Sequence, residues 1–166
     1  MDIINRRRSV RQFSEKEVPV ELVTSLLKAA MQAPSAHNEQ PWRFIVITKK
    51  GTLETMSQLS SSSKLLKEAP MAILLITDLN LLKSPTMYAQ DMSAATQNIL
   101  LEATSLGLGS CWIGVYGRPD RMKVIHDFFQ LKDQEEPFSL IALGYPLQDA
   151  ALSHVDRYQA DRVKWE

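Results

Sequence analysis

Apolar residues recur along this chain in two alternating rhythms. Val20, Val23, Leu26, Leu27 and Ala30 follow the i, i+3, i+4, i+7 spacing of a single helix face. Pro19 stands near the start of that helix, where a missing N–H costs little, and Pro34 lies just past its end. Phe44 to Thr48 is a short β-branched run that predicts a strand. Thr52 to Leu59 reads as helical, and Met71 to Thr77 as a second, buried strand. The longest helical pattern runs from Tyr88 to Leu106, with Met92, Ala95, Ile99 and then Ala103 or Leu106 on one face. Gly107 ends it as a C-cap residue would. Cys111 to Gly114 predicts a short strand, Pro119 to Phe129 a helix, and Phe138 to Leu143 a last apolar strand turned by Gly144-Tyr145-Pro146.

Helices alternating with strands in this order give a layered α/β or α+β domain. The length, 166 residues, argues for one domain over 1–166. Such a domain buries about 70% of its unfolded surface, enough for a full core. No internal repeat and no Pro/Gly-rich break divides it. The one biased stretch, Ser60 to Ser63, reads as a surface loop rather than a linker. The tail from Ala150 is polar except for Val155, Tyr158, Val163 and Trp165. Large isolated apolar residues at a polar terminus need a cover, either the chain's own domain or a partner chain over Trp165.

Charge narrows the functional classes. Nineteen basic and nineteen acidic residues cancel, which argues against nucleic-acid or membrane-surface partners, since these need a broad basic field. A single cysteine, Cys111, rules out an internal disulfide and a Cys-rich metal site, and fits a reducing compartment. No apolar stretch approaches the ~20 residues of a membrane span. The opening Met-Asp-Ile-Ile-Asn-Arg lacks the apolar core of a signal peptide. The expected location is the cytoplasm.

Three constellations carry candidate chemistry. Arg6-Arg7-Arg8-Ser9-Val10-Arg11 places four guanidinium forks and a hydroxyl within six residues, suited to a phosphate of charge about −2. The plain alternative is a solvated basic helix end. Ala33-Pro34-Ser35-Ala36-His37-Asn38-Glu39-Gln40-Pro41-Trp42 holds short polar side chains between two prolines, between a helix and a strand. Ser35, Asn38 and Gln40 offer donors and acceptors for a heteroaromatic edge or a ribityl chain, or simply build a turn. Gly107-Leu108-Gly109-Ser110-Cys111-Trp112-Ile113-Gly114 sets glycines around a short strand, which permits close backbone approach to a flat ligand. It is no dinucleotide fingerprint, because the glycines follow a helix and precede a strand. Cys111 reads as buried packing, with nothing nearby in sequence to lower its pKa. His126 has no companions at metal-ligand spacing, and no metal is expected.

Taken in order, these residues resemble one family. Arg7-Arg8-Ser9-Val10-Arg11-Gln12-Phe13 resembles the opening of the nitroreductases. Ala33-Pro34-Ser35 with Asn38-Glu39-Gln40-Pro41-Trp42-Arg43-Phe44 resembles their second motif. Gly107 to Gly114 resembles the third, in the branch carrying Cys-Trp-Ile-Gly, and Ala142-Leu143-Gly144-Tyr145-Pro146 with Arg157 resembles the end. Each motif is weak alone. Four in order, spread from residue 7 to residue 157, are specific.

The resemblance implies an α+β fold with a central, mostly antiparallel sheet flanked by helices, and an intertwined homodimer with two FMN sites at the interface. It places Arg7, Arg8, Ser9 and Arg11 at the phosphate and ribityl end of FMN, with Arg157 joining them at the phosphate. Pro34, Ser35, Ala36 and Asn38 would line the flavin from the other subunit. Ile113 and Gly114 would pack near the ring, a backbone N–H directed at flavin N5. The tail 150–166 would pack on the other subunit and so cover Trp165. The implied activity is ping-pong electron transfer from NAD(P)H to a small acceptor such as a nitroaromatic, a quinone or a flavin, with the chemistry in the cofactor and no side-chain nucleophile or acid. Two alternatives keep the same site: a non-enzymatic FMN-binding redox sensor or store, and a specialised dehalogenating or flavin-degrading enzyme. The compact stretch between Pro70 and Tyr88 counts against the second, which needs an ordered lid. Val155 stands where a basic residue is common, so one phosphate contact is expected to be missing, with Arg6 and Arg162 as substitutes.

Overall fold

The fold is built around the run from Met71, which has no polar side chain before Thr77 and is buried on both faces. The computed structural model describes residues 2–147 and 156–166. In chain order its elements are α1 (Asp2–Arg6), α2 (Val20–Met31), β1 (Trp42–Ile47), α3 (Lys50–Met56), β2 (Met71–Asp78), α4 (Tyr88–Ser105), β3 (Gly109–Gly114), α5 (Pro119–Phe129) and β4 (Glu135–Gly144). The four strands form one sheet in the order β1-β2-β4-β3, and every neighbouring pair is antiparallel. This is the α+β arrangement that the resemblance implies.

Alternation along β2 divides the core into two layers. Met71, Ile73 and Leu75 face a cluster with Val23, Leu26 and Ala30 of α2 and Met92, Ala95, Ile99 and Ala103 of α4. Ala72, Leu74 and Ile76 face a second cluster with Leu53 and Met56 of α3, Leu66, Ile125 of α5 and Phe13. Fully buried side chains of this size each contribute about 1.5–3 kcal/mol over exposure. The amide of Asn98 on α4 donates to the Ala29 carbonyl of α2 at 3.0 Å, which locks the two helices of the first layer together.

Several boundaries differ from the periodicity, each for a physical reason. β1 starts at Trp42 rather than Phe44, because Trp42 pairs with Thr77 and its side chain enters the core. The stretch predicted as one helix over 52–59 is α3 from Lys50, followed by a 3-10 turn at Ser57–Leu59. Ser60 to Ser63 is not a surface loop. It opens a 3-10 helix, Ser61–Lys67, through a reciprocal capping box between Ser60 and Ser63, and Ser63 is fully buried. β4 begins at Glu135 because Pro137, which has no N–H to give, is accommodated by a register shift. Leu75 pairs with Ser139 and Ile76 with Pro137, which leaves Phe138 as the extra residue. Gly107 ends α4 as expected, with φ +72°. Val155 and the start of the tail at Ala150 lie outside the described residues.

Candidate functional site

β3 is an edge strand, and its two ends differ in chemistry. At its start the N-terminal segment runs alongside it. Ser9 forms a parallel bridge with Ser110, and the Val10 N–H donates to the Ser110 carbonyl at 2.9 Å. Gly109 makes this approach possible, since a Cβ there would stand 2.7 Å from Val10 Cγ1. The glycine expected to admit a flat ligand thus admits the arginine-bearing segment instead. Ser14 N–H to the Tyr145 carbonyl, 2.9 Å, and a bridge between Phe13 and Pro146 carry the segment onward past the end of β4.

This docking fixes the backbone under Arg7, Arg8, Ser9 and Arg11. Arg8 Nη1 donates to the carbonyls of Asn5 at 2.6 Å and Arg7 at 2.8 Å, and Ser9 and Arg11 are exposed. The neighbouring thiol registers the positive charge. Burial pushes Cys111 up, while the guanidiniums of Arg11 and Arg7 pull it down, and burial prevails. Cys111 is the buried packing residue that was expected, but it does have charges close by that favour its thiolate. Ser110 Oγ, almost fully buried beside Ser9, has no hydrogen-bond partner among the described residues.

Burial alternates along the far half of β3 and into the turn that follows it, through Val115 and Tyr116. Ile113 and Val115 are buried at 1% and 0% exposure in the second core layer, whereas Trp112 and Gly114, on the other face of the strand, and Tyr116 beyond it are exposed. Nothing lies within 4 Å of where a Cβ on Gly114 would be. Open space at Gly114 therefore lies, along the chain, between two aromatic residues. Ile113 can face a ligand only through its backbone. Arg121 Nη1 donates to the Gly114 carbonyl at 2.7 Å and holds the end of the strand.

The loop between α2 and β1 is rigid for a segment this polar. His37, Asn38 and Gln40 all have positive φ, between 50° and 56°. Left-handed backbone at residues with side chains persists only where surroundings over-determine it, and such strain gathers at binding sites. Here two carboxylates hold it. Asp91, buried at the start of α4, accepts the Ala36 N–H at 3.1 Å, and Glu39 Oε1 accepts the N–H groups of Lys83 and Ser84 at 2.8 Å each. Ser35 Oγ accepts the Gln40 N–H at 3.0 Å, and Gln40 Nε2 donates to Asn38 Oδ1 at 3.0 Å. Asn38 is left exposed, as is Pro34, while Ser35 and Ala36 are half-buried.

One chain does not bring all the expected residues together. Trp42, Thr77 and Gly114 lie at the same end of the sheet, but β1 and β3 are its opposite edges, three strand spacings or roughly 14 Å apart. The 34–40 loop is thus displaced across the sheet from the Gly114 gap. The arginines lie at the other end of β3, beside Ser110. Arg157 belongs to the C-terminal segment 156–166, exposed throughout, with Trp165 at 88% and Tyr158 at 69%. Trp165 is not covered by its own domain.

The family model "Nitroreductase family" matches residues 4–88 and 58–145. The chain belongs to the nitroreductase family. A Methanothermobacter thermautotrophicus protein, whose assigned name joins NADH dehydrogenase and NAD(P)H nitroreductase, is 42% identical over 166 residues, covering 100% of this chain and 86% of the relative. A crystal structure from Clostridium acetobutylicum, named as an NADH oxidase, superposes with TM-score 0.95 at 43% identity, covering 99% of this chain and 98% of the other. A Clostridium difficile structure described as an FMN-dependent nitroreductase matches with TM-score 0.89 at 31% identity, over 99% and 97% of the two chains. The sequence motifs of the family therefore map onto two surfaces of β3 and one strained loop. Sequence reasoning passed over Asp91 and Tyr116, and quoted Glu39 and Trp112 within their motifs without giving them a role. Signals for them existed: an acid on the apolar face of α4, and aromatics at period two around Gly114.

Proposed function

We propose that this protein is an FMN-dependent oxidoreductase that carries electrons from NAD(P)H to a small acceptor, such as a nitroaromatic, a quinone or a flavin, in a ping-pong sequence and as a homodimer. The observation that carries this reading is β3, which joins a cationic end to open space at Gly114. Four residues separate Ser110 from Gly114, about 13 Å of extended strand. A ligand with a phosphate at one end and a flat heteroaromatic at the other matches that pair of features.

The chemistry that FMN would supply when bound is electron transfer between nicotinamide and acceptor. The residues of the chain bind and orient. Arg7, Arg8 and Arg11 hold the phosphate by charge-assisted hydrogen bonds, joined by Arg157, and Ser9 adds a hydroxyl. The unpartnered Ser110 Oγ beside them suits the same polar end. Ile113 and Gly114 would present their backbone to the ring, and Arg121 keeps that backbone in place through the Gly114 carbonyl.

The loop Pro34, Ser35, Ala36 and Asn38 reaches the ring of a second chain. Its displacement across the sheet from β3 supports this, as does the exposed tail. So does a broad concavity of about 680 Å³ lined by Ile3, Ile4, Ala29 and Leu101, which offers α1, α2 and α4 as the face for a second copy. Residues 79–87 between β2 and α4 hold only a 3-10 turn at Leu79–Leu81, which favours an open pocket over the lidded specialists. Titration of the flavin-free protein with FMN tests the phosphate assignment. Arg7→Ala and Arg11→Ala should each weaken binding by about 1.5–3 kcal/mol. Full occupancy of both variants at low FMN would show that the arginines do something else.

A further inference from the structure

Tyr116 is exposed to 44%, yet it is fastened on three sides. Its ring stacks on Phe138 at 5.2 Å with an interplanar angle of 25°, and meets the edge of Tyr88 at 5.6 Å and 79°. Its backbone N–H donates to the Phe138 carbonyl at 2.8 Å. Phe138, in turn, is 4% exposed and occupies the bulge that Pro137 forces in β4. Tyr88 is held at its far end, where its hydroxyl donates to Glu136 Oε1 at 2.6 Å. Burial and then that hydrogen bond push the Tyr88 phenol well above its ordinary range, so it remains a neutral donor. These contacts orient the ring while leaving nearly half of the residue in solvent.

Position says what the fixed surface is for. Trp112 and Gly114 share one face of β3, and Tyr116, in the turn two residues past Gly114, lies against Phe138 and Tyr88 of the first core layer. We propose that Tyr116 is a specificity-determining residue, an aromatic wall beside the ring site that selects planar, electron-poor acceptors. The inference rests on the FMN reading above, because the gap it borders is the one assigned to the flavin. An electron-rich phenol ring held in a fixed orientation favours a flat quinone or nitroaromatic in offset or edge contact. A compact inorganic oxidant, which has no π face, gains nothing from it. Tyr88, braced by Glu136, is the positioning residue behind the wall.

The test compares 1,4-naphthoquinone with ferricyanide as acceptors for the FMN-loaded enzyme at saturating NADH or NADPH. The ratio of KM for naphthoquinone to KM for ferricyanide should rise about three- to tenfold in Tyr116→Leu. It should stay near the wild-type ratio in Tyr116→Phe, which keeps the ring. Tyr88→Phe, which releases the Glu136 brace, should raise the ratio in the same direction by less. Sedimentation velocity and an FMN titration of each variant accompany the kinetics. An unchanged ratio in Tyr116→Leu overturns the proposal, as does an equal rise for both acceptors. Dissociation of a dimer in Tyr116→Leu without a change in ratio overturns it too, since Tyr116 would then be an interface residue. Failure of the FMN reading looks different: the wild-type protein would bind no FMN, or would not be reduced by either nicotinamide, before any variant is made.

Discussion

Two glycines on one strand separate what the fold needs from what the ligand needs. Gly109 is filled by its own chain, with Val10 Cγ1 2.7 Å from the missing Cβ, whereas a Cβ on Gly114 would meet nothing within 4 Å. Gly109→Ala should therefore push the N-terminal segment off β3 and cost about 1–3 kcal/mol of stability, read as a fall in Tm. Gly114→Ala should leave Tm near wild type and instead weaken FMN binding by about 1–3 kcal/mol, because its methyl would enter only the space assigned to the ring. A flavin affinity that ignores Gly114→Ala would move the ring elsewhere. Cys111 gives a third outcome at this scale. Burial raises its pKa above that of an ordinary thiol, so alkylation by iodoacetamide should stay slow through pH 8 and accelerate only above the ordinary thiol range. The neutral thiol is the form the fold favours. Its contribution to stability is present below the ordinary thiol pKa and is lost as pH rises through the raised value.

Among the elements, the 34–40 loop concentrates the strain. Its left-handed residues depend on Asp91, whose Oδ1 takes the Ala36 N–H while Oδ2 has no hydrogen-bond partner among the described residues. Asp91→Ala strands a backbone donor and should cost about 1–3 kcal/mol in chemical denaturation, with faster proteolytic nicking near His37. Asp91→Asn keeps an oxygen for Ala36 and should cost less. The helices and strands around this loop were largely legible in sequence, because α2 and α4 each bury one face and β2 is an unbroken apolar run. The α5 boundaries at Pro119 and Phe129 follow from proline at N1 and the apolar period alone. What escaped the reading was set by tertiary contacts. Gly109 and Ser110 extend β3 because they pair with Gly144 and Leu143 of β4, and Glu135 to Pro137 extend β4 despite being polar or lacking an N–H. Ser60 to Ser63 looked like loop composition, yet those hydroxyls close a capping box and one is buried. The arginines and the Cys-Trp-Ile-Gly strand could be named as candidates from sequence. Their separation across the sheet from the 34–40 loop could not, since strand order is invisible to local pattern.

For the whole molecule the account requires two chains. One chain leaves Trp165 and Tyr158 in solvent and keeps the loop of Pro34 to Asn38 an edge away from β3. Removal of residues 156–166 should weaken the proposed dimer in sedimentation velocity and lower the FMN content of the purified protein. A truncated chain that stays dimeric and fully flavinated would confine the tail to a minor role. The central claim, that this member of the nitroreductase family is an FMN enzyme fed by NAD(P)H, is tested most directly by the visible absorption spectrum of the purified protein. The spectrum is recorded before and after anaerobic addition of NADPH and then NADH, with a quinone or nitroaromatic added last. The account predicts flavin bands that bleach with at least one nicotinamide and return with the acceptor. A colourless protein that cannot be reconstituted with FMN, or flavin bands that neither nicotinamide bleaches, would contradict it.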